Sequence, residues 1–341
     1  MRVLVTGGTG AVGVNIVRRL AAEGYEVLCL ARRADEEDRL RDRFLQPVAA
    51  RVRLVAGDVG DIEGLRTLFG ATRPTHVVHA AAITPTPEME AAITRAIVEV
   101  NLMGTVNVLD AAREVGAARV VFISSAAVYG ETDERQPITE DFPLAAQSLY
   151  AVAKEASEKL CVLYQSLHRL ETISLRVGWV YGPLERPMKG SRASMSLVYQ
   201  VVRLALAGEE IRLVHLDHVR DWIHADDLAG AVLTLLTQDR LSRSVYNLSG
   251  GVGISHRELL ETLARVLPLR YAQVANPAEA NVPPQVTRKR RGPASIERLL
   301  AETSYRPRFT LEAGLRAYVD WVRAEEWEPL SAAQGRTDDS G

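Results

Sequence analysis

The stretch VLVTGGTGAVG, residues 3–13, constrains this chain more than any other. Gly7, Gly10 and Gly13 fall at three-residue intervals, directly after a β-branched apolar run and directly before a helical pattern. Strand, glycine turn and helix form the arrangement in which bare backbone can lie against a pyrophosphate. The helix N-terminus then offers N–H groups and the positive end of its dipole. The spacing is G-x-x-G-x-x-G, wider than the G-x-G-x-x-G dinucleotide fingerprint, so the match rests on mechanism and not on letters. The competing reading is a glycine-rich connector that holds nothing. If the turn is a cradle, Gly7, Gly10, Ala11, Val12 and Gly13 form it.

The same alternation recurs further along the chain. Apolar runs at 2–5, 26–30, 51–58, 75–82, 118–125 and 171–177 read as strands, and patterns at 11–23, 88–115 and 149–169 read as helices. Continuous apolar strands separated by helices predict an α/β fold, a doubly wound parallel sheet of the Rossmann type covered on both faces. After Tyr181-Gly182-Pro183 the regularity fades into helical patterns near 193–207, 224–238, 255–266 and 310–325, with short strands near 211–214 and 244–248. The expectation is a dinucleotide domain over 1–180 with a return near 244–250. An interleaved, smaller C-terminal α/β substrate lobe would cover 181–327, and a disordered tail 328–341.

Composition removes several function classes. With 341 residues, 47% hydrophobic and 25% charged, the chain can bury a sizeable core. A net charge of −2 gives no bulk attraction to nucleic acid. No apolar run approaches the ~18 residues of a membrane span, and four apolar residues before the glycines are too few for a leader's core of roughly 7–15. Cys29 and Cys161 lie far apart in apolar patterns, so the expectation is a reducing, cytoplasmic setting. His215, His218 and His224 invite a metal, but no carboxylate or cysteine spacing supports one, and no metal is expected.

Tyr150 and Lys154, in YAVAK, stand one turn apart on one helix face. Free tyrosine, with a pKa of about 10, is a poor base at neutral pH, and a neighbouring ammonium favours its phenolate. Alone, such a pair on a helix is usually a surface contact.

Taken in order, further motifs make the chain resemble the extended, nucleotide-sugar epimerase/dehydratase-like branch of the short-chain dehydrogenase/reductases. They are GDV (57–59), HAAA (79–82), EVN (99–101), SSAAVYG (124–130), YAVAK (150–154), LRVGWVYGP (175–183) and RDWIHADDLA (220–229). The resemblance implies that Asp58 and Val59 border an adenine, that Ala80, Ala81 and Ala82 line the cofactor path with Val177, and that Asn101 supports the active-site helix. It implies a triad in which Tyr150 carries the proton, Lys154 tunes it and binds the nicotinamide ribose, and Ser125 positions the substrate oxygen. Ser124 is the competing serine. It also implies that Arg220 holds a nucleotide-sugar phosphate. Arg291, in the basic run RKRRG (288–292), adds positive charge for the substrate, or the run is a solvated loop. Trp179, where many relatives carry Asn, reads as a stacking surface or as core. Ala126 and Ala127 follow Ser125 where relatives that eliminate water carry acids, which disfavours a dehydratase.

Strand two ends in Ala31, Arg32 and Arg33 and not in an acid, so the expected cofactor is NADP, with NAD as the alternative. The expected activity is an epimerase acting by reversible hydride transfer on a nucleotide-activated sugar. The alternatives are a reductase or dehydrogenase with net redox, or an NADP-binding sensor without turnover. Patterns 88–115 and 149–169 correspond to helices that pair across a two-fold in many relatives, which implies a homodimer.

Overall fold

The structure is a computed structural model that describes residues 1–32, 38–186, 195–283 and 290–326. Arg33 and the tail 328–341 lie outside the described residues.

The first half is built as strand and helix in turn: β1 (Arg2–Thr6), α1 (Ala11–Ala22), β2 (Glu26–Ala31), α2 (Arg39–Leu45), β3 (Val52–Ala56), α3 (Ile62–Thr72) and β4 (His76–His79). Two short helices, α4 (Pro87–Ala92) and α5 (Thr94–Val98), lead through a π-helical turn at Glu99–Met103 into α6 (Gly104–Glu114). Then come β5 (Arg119–Ser125), α7 (Leu149–His168) and β6 (Glu171–Val177). After them the chain runs through β7 (Trp179–Tyr181), α8 (Leu197–Leu206), β8 (Glu210–Leu213), β9 (Val219–Arg220), β10 (Trp222–His224), α9 (Ala225–Thr237) and β11 (Val245–Leu248). It ends with β12 (Ile254–Ser255), α10 (His256–Ala264), β13 (Arg270–Gln273), α11 (Glu297–Glu302) and α12 (Leu311–Trp321).

Seven strands form one sheet in the order β11-β6-β5-β4-β1-β2-β3, and every pairing is parallel. Side chains alternate across it, as a strand's two-residue period requires. Val3, Val5, Val121 and Ile123 pack on one face with Val14, Val17, Leu228, Val232 and Leu235 of α1 and α9. Leu4, Val77, Val120 and Phe122 pack on the other with Leu65, Val108 and Cys161 of α3, α6 and α7. A separate apolar cluster lies in the second half of the chain, where Val198, Val201 and Val202 of α8 meet Ile211, Leu259, Leu263, Leu315 and Val319. Strand order reverses between β1 and β4, and the crevice outside the carboxyl ends of such a reversal is where open α/β sheets bind ligands.

The expected return to the main sheet near 244–248 is β11, beside β6. The expected single helix over 88–115 is instead interrupted. Ile93 leaves helical geometry (φ −127°, ψ 34°), and the π turn at 99–103 breaks the register again. Strands β7, β9, β10 and β12 are two or three residues long, too short to leave a periodic signal. No helix among the described residues is long and apolar enough to cross a membrane.

Candidate active site

The glycine turn leaves the end of β1 and folds back on itself, Gly10 N–H donating to Gly7 O at 3.0 Å. Gly7 has φ +64°, and a Cβ there would stand 2.7 Å from the backbone of Ala81. A Cβ on Gly13 would stand 2.1 Å from Gly7 O. Only glycine fits either position. Gly10 is the N-cap of α1 and gives it no side-chain cap, nor does an acid occupy the first turn. Among the described residues no side chain caps the first N–H groups of α1, and Ala11, Val12 and Gly13 line a cleft. An uncapped helix end, in a cradle that a side chain would fill, fits the pyrophosphate of a dinucleotide.

The cleft runs past Asp58 and Val59 after β3, Arg32 after β2 and Ala80–Ala82 after β4, and it ends at Tyr150 and Lys154. Asp58 accepts from Gly60 N–H at 2.8 Å, which fixes the turn that presents it. A hydrogen-bond chain secures the floor. Thr6 Oγ1 accepts from Ala81 N–H (3.2 Å) and meets His79 Nδ1 (2.7 Å), and His79 Nε2 meets Thr105 Oγ1 (3.1 Å). Thr105 Oγ1 in turn donates to Asn101 O at 3.0 Å. Burial holds the His79 pKa down to about 3. A neutral imidazole accepting from Thr6 and donating to Thr105 satisfies every member of the chain. Asn101, buried in the π turn, uses its side chain on Ile83, accepting from its N–H (2.7 Å) and donating to its carbonyl (2.9 Å).

Ser148 caps α7 by accepting from Ala151 N–H (3.2 Å), and Glu90 of α4 accepts from Tyr150 N–H (3.0 Å). These contacts set the first turn of α7, and Lys154 follows one turn later. Its Nζ donates to Ile123 O at 2.7 Å and lies 4.6 Å from the Phe122 ring centre and 5.8 Å from that of Tyr150. Lys154 is 2% exposed, and burial pulls its pKa down to about 8. Ser125, half-buried, ends β5 and accepts from Ala127 N–H at 3.1 Å. Ser124 points the other way: its hydroxyl donates to Glu158 at 2.5 Å. Glu158 is gripped by Arg176 Nε (3.0 Å) and Nη2 (2.7 Å), and Arg176 Nη1 donates to Tyr129 Oη (2.9 Å) and Glu140 O (2.9 Å). This buried ion pair ties β5, β6 and α7 together, one turn along α7 from Lys154.

Trp179 opens β7 in register with Trp222 of β10. The guanidinium carbon of Arg220 lies 5.0 Å from the Trp179 ring centre and that of Arg291 lies 5.9 Å away. Arg220 is 1% exposed, and burial, reinforced by Arg291, holds its pKa down to about 10. His215 and His218 stack with ring centres 4.1 Å apart, and Arg290 Nη2 donates to His218 Nε2 at 3.2 Å. His224 caps α9, accepting from Asp226 N–H at 3.2 Å. Among the described residues no group of three or more His, Cys, Asp or Glu side chains could hold a metal.

A model of the NAD dependent epimerase/dehydratase family matches residues 3–249. This chain belongs to that family. The family member is 29% identical over 343 residues to a dTDP-glucose 4,6-dehydratase of Streptomyces griseus, covering 97% of each chain. It is likewise 29% identical over 347 residues to UDP-glucuronate 4-epimerase 4 of Arabidopsis thaliana, covering 94% of this chain and 74% of that one. Among solved structures it superposes on a UDP-glucose 4-epimerase of Thermus thermophilus in complex with NAD. There the TM-score is 0.77 at 31% identity, with 95% of this chain and 99% of that one covered.

In this family member the cleft wall brings together Gly7, Gly10, Ala11, Val12, Gly13, Arg32, Asp58, Val59, Ala80, Ala81, Ala82, Tyr150 and Lys154. Three expected residues stand off it. Asn101 is buried and works through Ile83, while Val177 is 6% exposed and pairs with Ser125 in the sheet. Ser125 sits at the strand end beside the wall. Sequence reasoning missed Ile83, Thr84 and Val100, which line the cleft from a loop and a π turn that carry no periodic signature.

Proposed function

We propose that this protein is an epimerase or oxidoreductase that moves hydride reversibly at a secondary alcohol of a nucleotide-activated sugar, with Tyr150 as proton carrier. The observation that carries this reading is the single cleft that joins the glycine turn to Tyr150 and Lys154. The nicotinamide ring, when bound, supplies the hydride acceptor and donor. Tyr150 removes the proton from the substrate hydroxyl and later returns it to the carbonyl oxygen. The Lys154 ammonium is fixed on Ile123 O, favours the phenolate, and sits where it can meet a ribose. Ser125, whose hydroxyl proton is not consumed by the Ala127 contact, donates to the substrate oxygen. Arg220 and Arg291 hold the diphosphate.

Ala126 and Ala127 offer no proton donor beside Ser125, which favours epimerisation over elimination. The dehydratase names among the relatives make loss of water the competing outcome. Arg32, on the cleft wall after Ala31, supports NADP, and NAD is the alternative. Exposed Val152, Leu163 and Leu167 on α7, with Met103 beside them, support a dimer through that helix. Cys29 and Cys161, both buried free thiols, suit a reducing cytoplasm.

Purified protein is incubated with UDP- and dTDP-hexoses, with and without added cofactor. Interconversion of isomers without added cofactor supports the epimerase, stoichiometric NADPH consumption moves the reading to a reductase, and a product lighter by one water overturns it for a dehydratase. Arg32→Ala is expected to weaken NADP binding by about 10-fold while changing NAD little. Equal losses for both cofactors would remove the 2′-phosphate argument.

A further inference from the structure

Tyr150 occupies the second position of α7, in the turn whose N–H groups find no partner inside the helix. Helix ends fray, and a side chain in the first turn moves with them. Two contacts oppose that motion here. Ser148 accepts from Ala151 N–H at 3.2 Å, the common cap from the residue just before a helix. The second contact comes from outside. Glu90 Oε1 of α4, 60 residues upstream, accepts from the Tyr150 N–H itself at 3.0 Å. A carboxylate on a backbone N–H makes one of the stronger hydrogen bonds, and at the start of a helix it also meets the positive end of the dipole.

Glu90 belongs to the stretch that walls the cleft. Ile83 and Thr84 line the cleft together with Tyr150 and Lys154. Asn101 grips Ile83 by both its N–H (2.7 Å) and its carbonyl (2.9 Å), and Glu90, seven residues on, ties the same stretch to α7. Lys154 is anchored separately, its Nζ on Ile123 O at 2.7 Å. The 5.8 Å between that ammonium and the Tyr150 ring centre therefore depends on where the first turn of α7 sits. Glu90 helps to fix that turn.

We propose that Glu90 is a positioning residue for the proton transfer. By accepting from Tyr150 N–H it holds the phenol at its working distance from Lys154 and from the substrate hydroxyl. The inference rests on the reading of Tyr150 as proton carrier and adds the group, on a separate element, that keeps it in place. Glu90 acts through the backbone of Tyr150 and exchanges no proton with the substrate.

The test compares full-length wild type with Glu90→Gln and Glu90→Ala, and repeats the Ala change in a Tyr150→Phe background. Gln keeps an acceptor oxygen at the same reach and loses the charge, whereas Ala loses both. Turnover is measured with UDP- and dTDP-hexoses, cofactor affinity by titration, and protection of the amides at the start of α7 by hydrogen exchange. In Glu90→Ala, kcat should fall by about 10-fold, with KM and cofactor Kd within about two-fold of wild type. Glu90→Gln should keep kcat within about three-fold, since the acceptor remains. Exchange at Tyr150 should quicken in the Ala variant and stay near wild type in the Gln variant. In the Tyr150→Phe background the Ala change should cost little more, because both act through one group.

Equal losses in Gln and Ala would make the charge and not the hydrogen bond responsible, and would overturn the assignment. So would kcat within two-fold of wild type in Glu90→Ala, a rise in KM matching the fall in kcat, or an undiminished loss in the Tyr150→Phe background. Should Glu90→Ala fail to fold, Glu90→Asp, one methylene too short to reach, takes its place. If wild type converts none of the hexoses, or Tyr150→Phe converts them undiminished, the reading of Tyr150 falls and this role of Glu90 falls with it. The exchange contrast between Ala and Gln separates that outcome from a cap that never held.

Discussion

The cleft wall and the cluster around Trp179 are made of different materials. On the sheet side the wall is largely backbone and small side chains: Gly7, Gly10 and Gly13 at the first turn, Ala80–Ala82 after β4, and the uncapped N–H groups of α1. The cluster is long charged and aromatic side chains, Trp179, Arg220 and Arg291, arriving from β7, β9 and a loop more than a hundred residues from Trp179. The first has no room for added atoms at Gly7 and Gly13. The second tolerates changes of volume but not the loss of a partner, because its charges are out of water. Tyr150 stands at the seam: it ends the cleft wall and lies within electrostatic reach of Arg291.

The comparison breaks most severely at the seam. Tyr150→Phe removes the hydroxyl proposed to carry the proton and leaves both regions in place. It should lower kcat by about 10³-fold while cofactor and nucleotide affinities change little, read by steady-state turnover and titration. A fall in either affinity equal to the fall in kcat would mean that Tyr150 belongs to a wall and not to the chemistry. Next in size is the scaffold below. Glu158→Ala leaves the buried Arg176 guanidinium without its bidentate partner, and Ser124 without its acceptor. The loss should be about 3–5 kcal/mol in urea unfolding. Glu158→Ala with Arg176→Met should recover part of it, since removing both charges avoids stranding one of them.

Legibility followed the same divide. The glycine turn could be read because close approach forces a residue type at a fixed spacing: Gly13 has no alternative when its Cβ would lie 2.1 Å from Gly7 O. The parallel sheet could be read because strands buried on both faces need continuous apolar runs. The interruption at Ile93 and the π turn at Asn101 could not, because they depend on contacts with distant residues, such as Asn101 gripping Ile83. Trp179 was ambiguous between stacking and core for the same reason. Its sequence neighbours say nothing of Arg291, which lies 112 positions further along the chain. The choice between Ser124 and Ser125 likewise turns on Glu158, one helix away.

Lys154 sharpens the comparison with pH. Its folded pKa is depressed from 10.5 to about 8 by burial, so its ammonium is lost as pH rises through about 8. If the charge tunes Tyr150, kcat/KM should fall on the alkaline side with a midpoint near 8. Stability should move the opposite way. Between about 8 and 10.5 the unfolded chain binds the proton that the folded chain has released, so this contribution to stability rises with pH. The difference in Tm between wild type and Lys154→Met isolates it. Wild type should gain on the variant across that window, while activity declines. A parallel fall of activity and relative Tm would remove Lys154 as the group responsible.

The smallest expected effect tests whether the backbone wall rejects atoms everywhere or only where the chain closes on itself. Gly13→Ala drives a methyl into Gly7 O and should weaken cofactor binding by at least about 100-fold, because the turn must open to admit it. Gly10 differs. Its φ is −75°, open to any residue, and a Cβ would meet nothing closer than Gly7 O at 3.3 Å. The Cβ would press on one carbonyl that can yield by a few tenths of an ångström, while the N–H groups beyond it keep their directions. Gly10→Ala should therefore cost only a few-fold in cofactor affinity, with the fold intact by thermal unfolding. If the methyl at Gly10 is as damaging as that at Gly13, the ligand itself and not Gly7 is what crowds the turn. The pyrophosphate would then lie against Gly10.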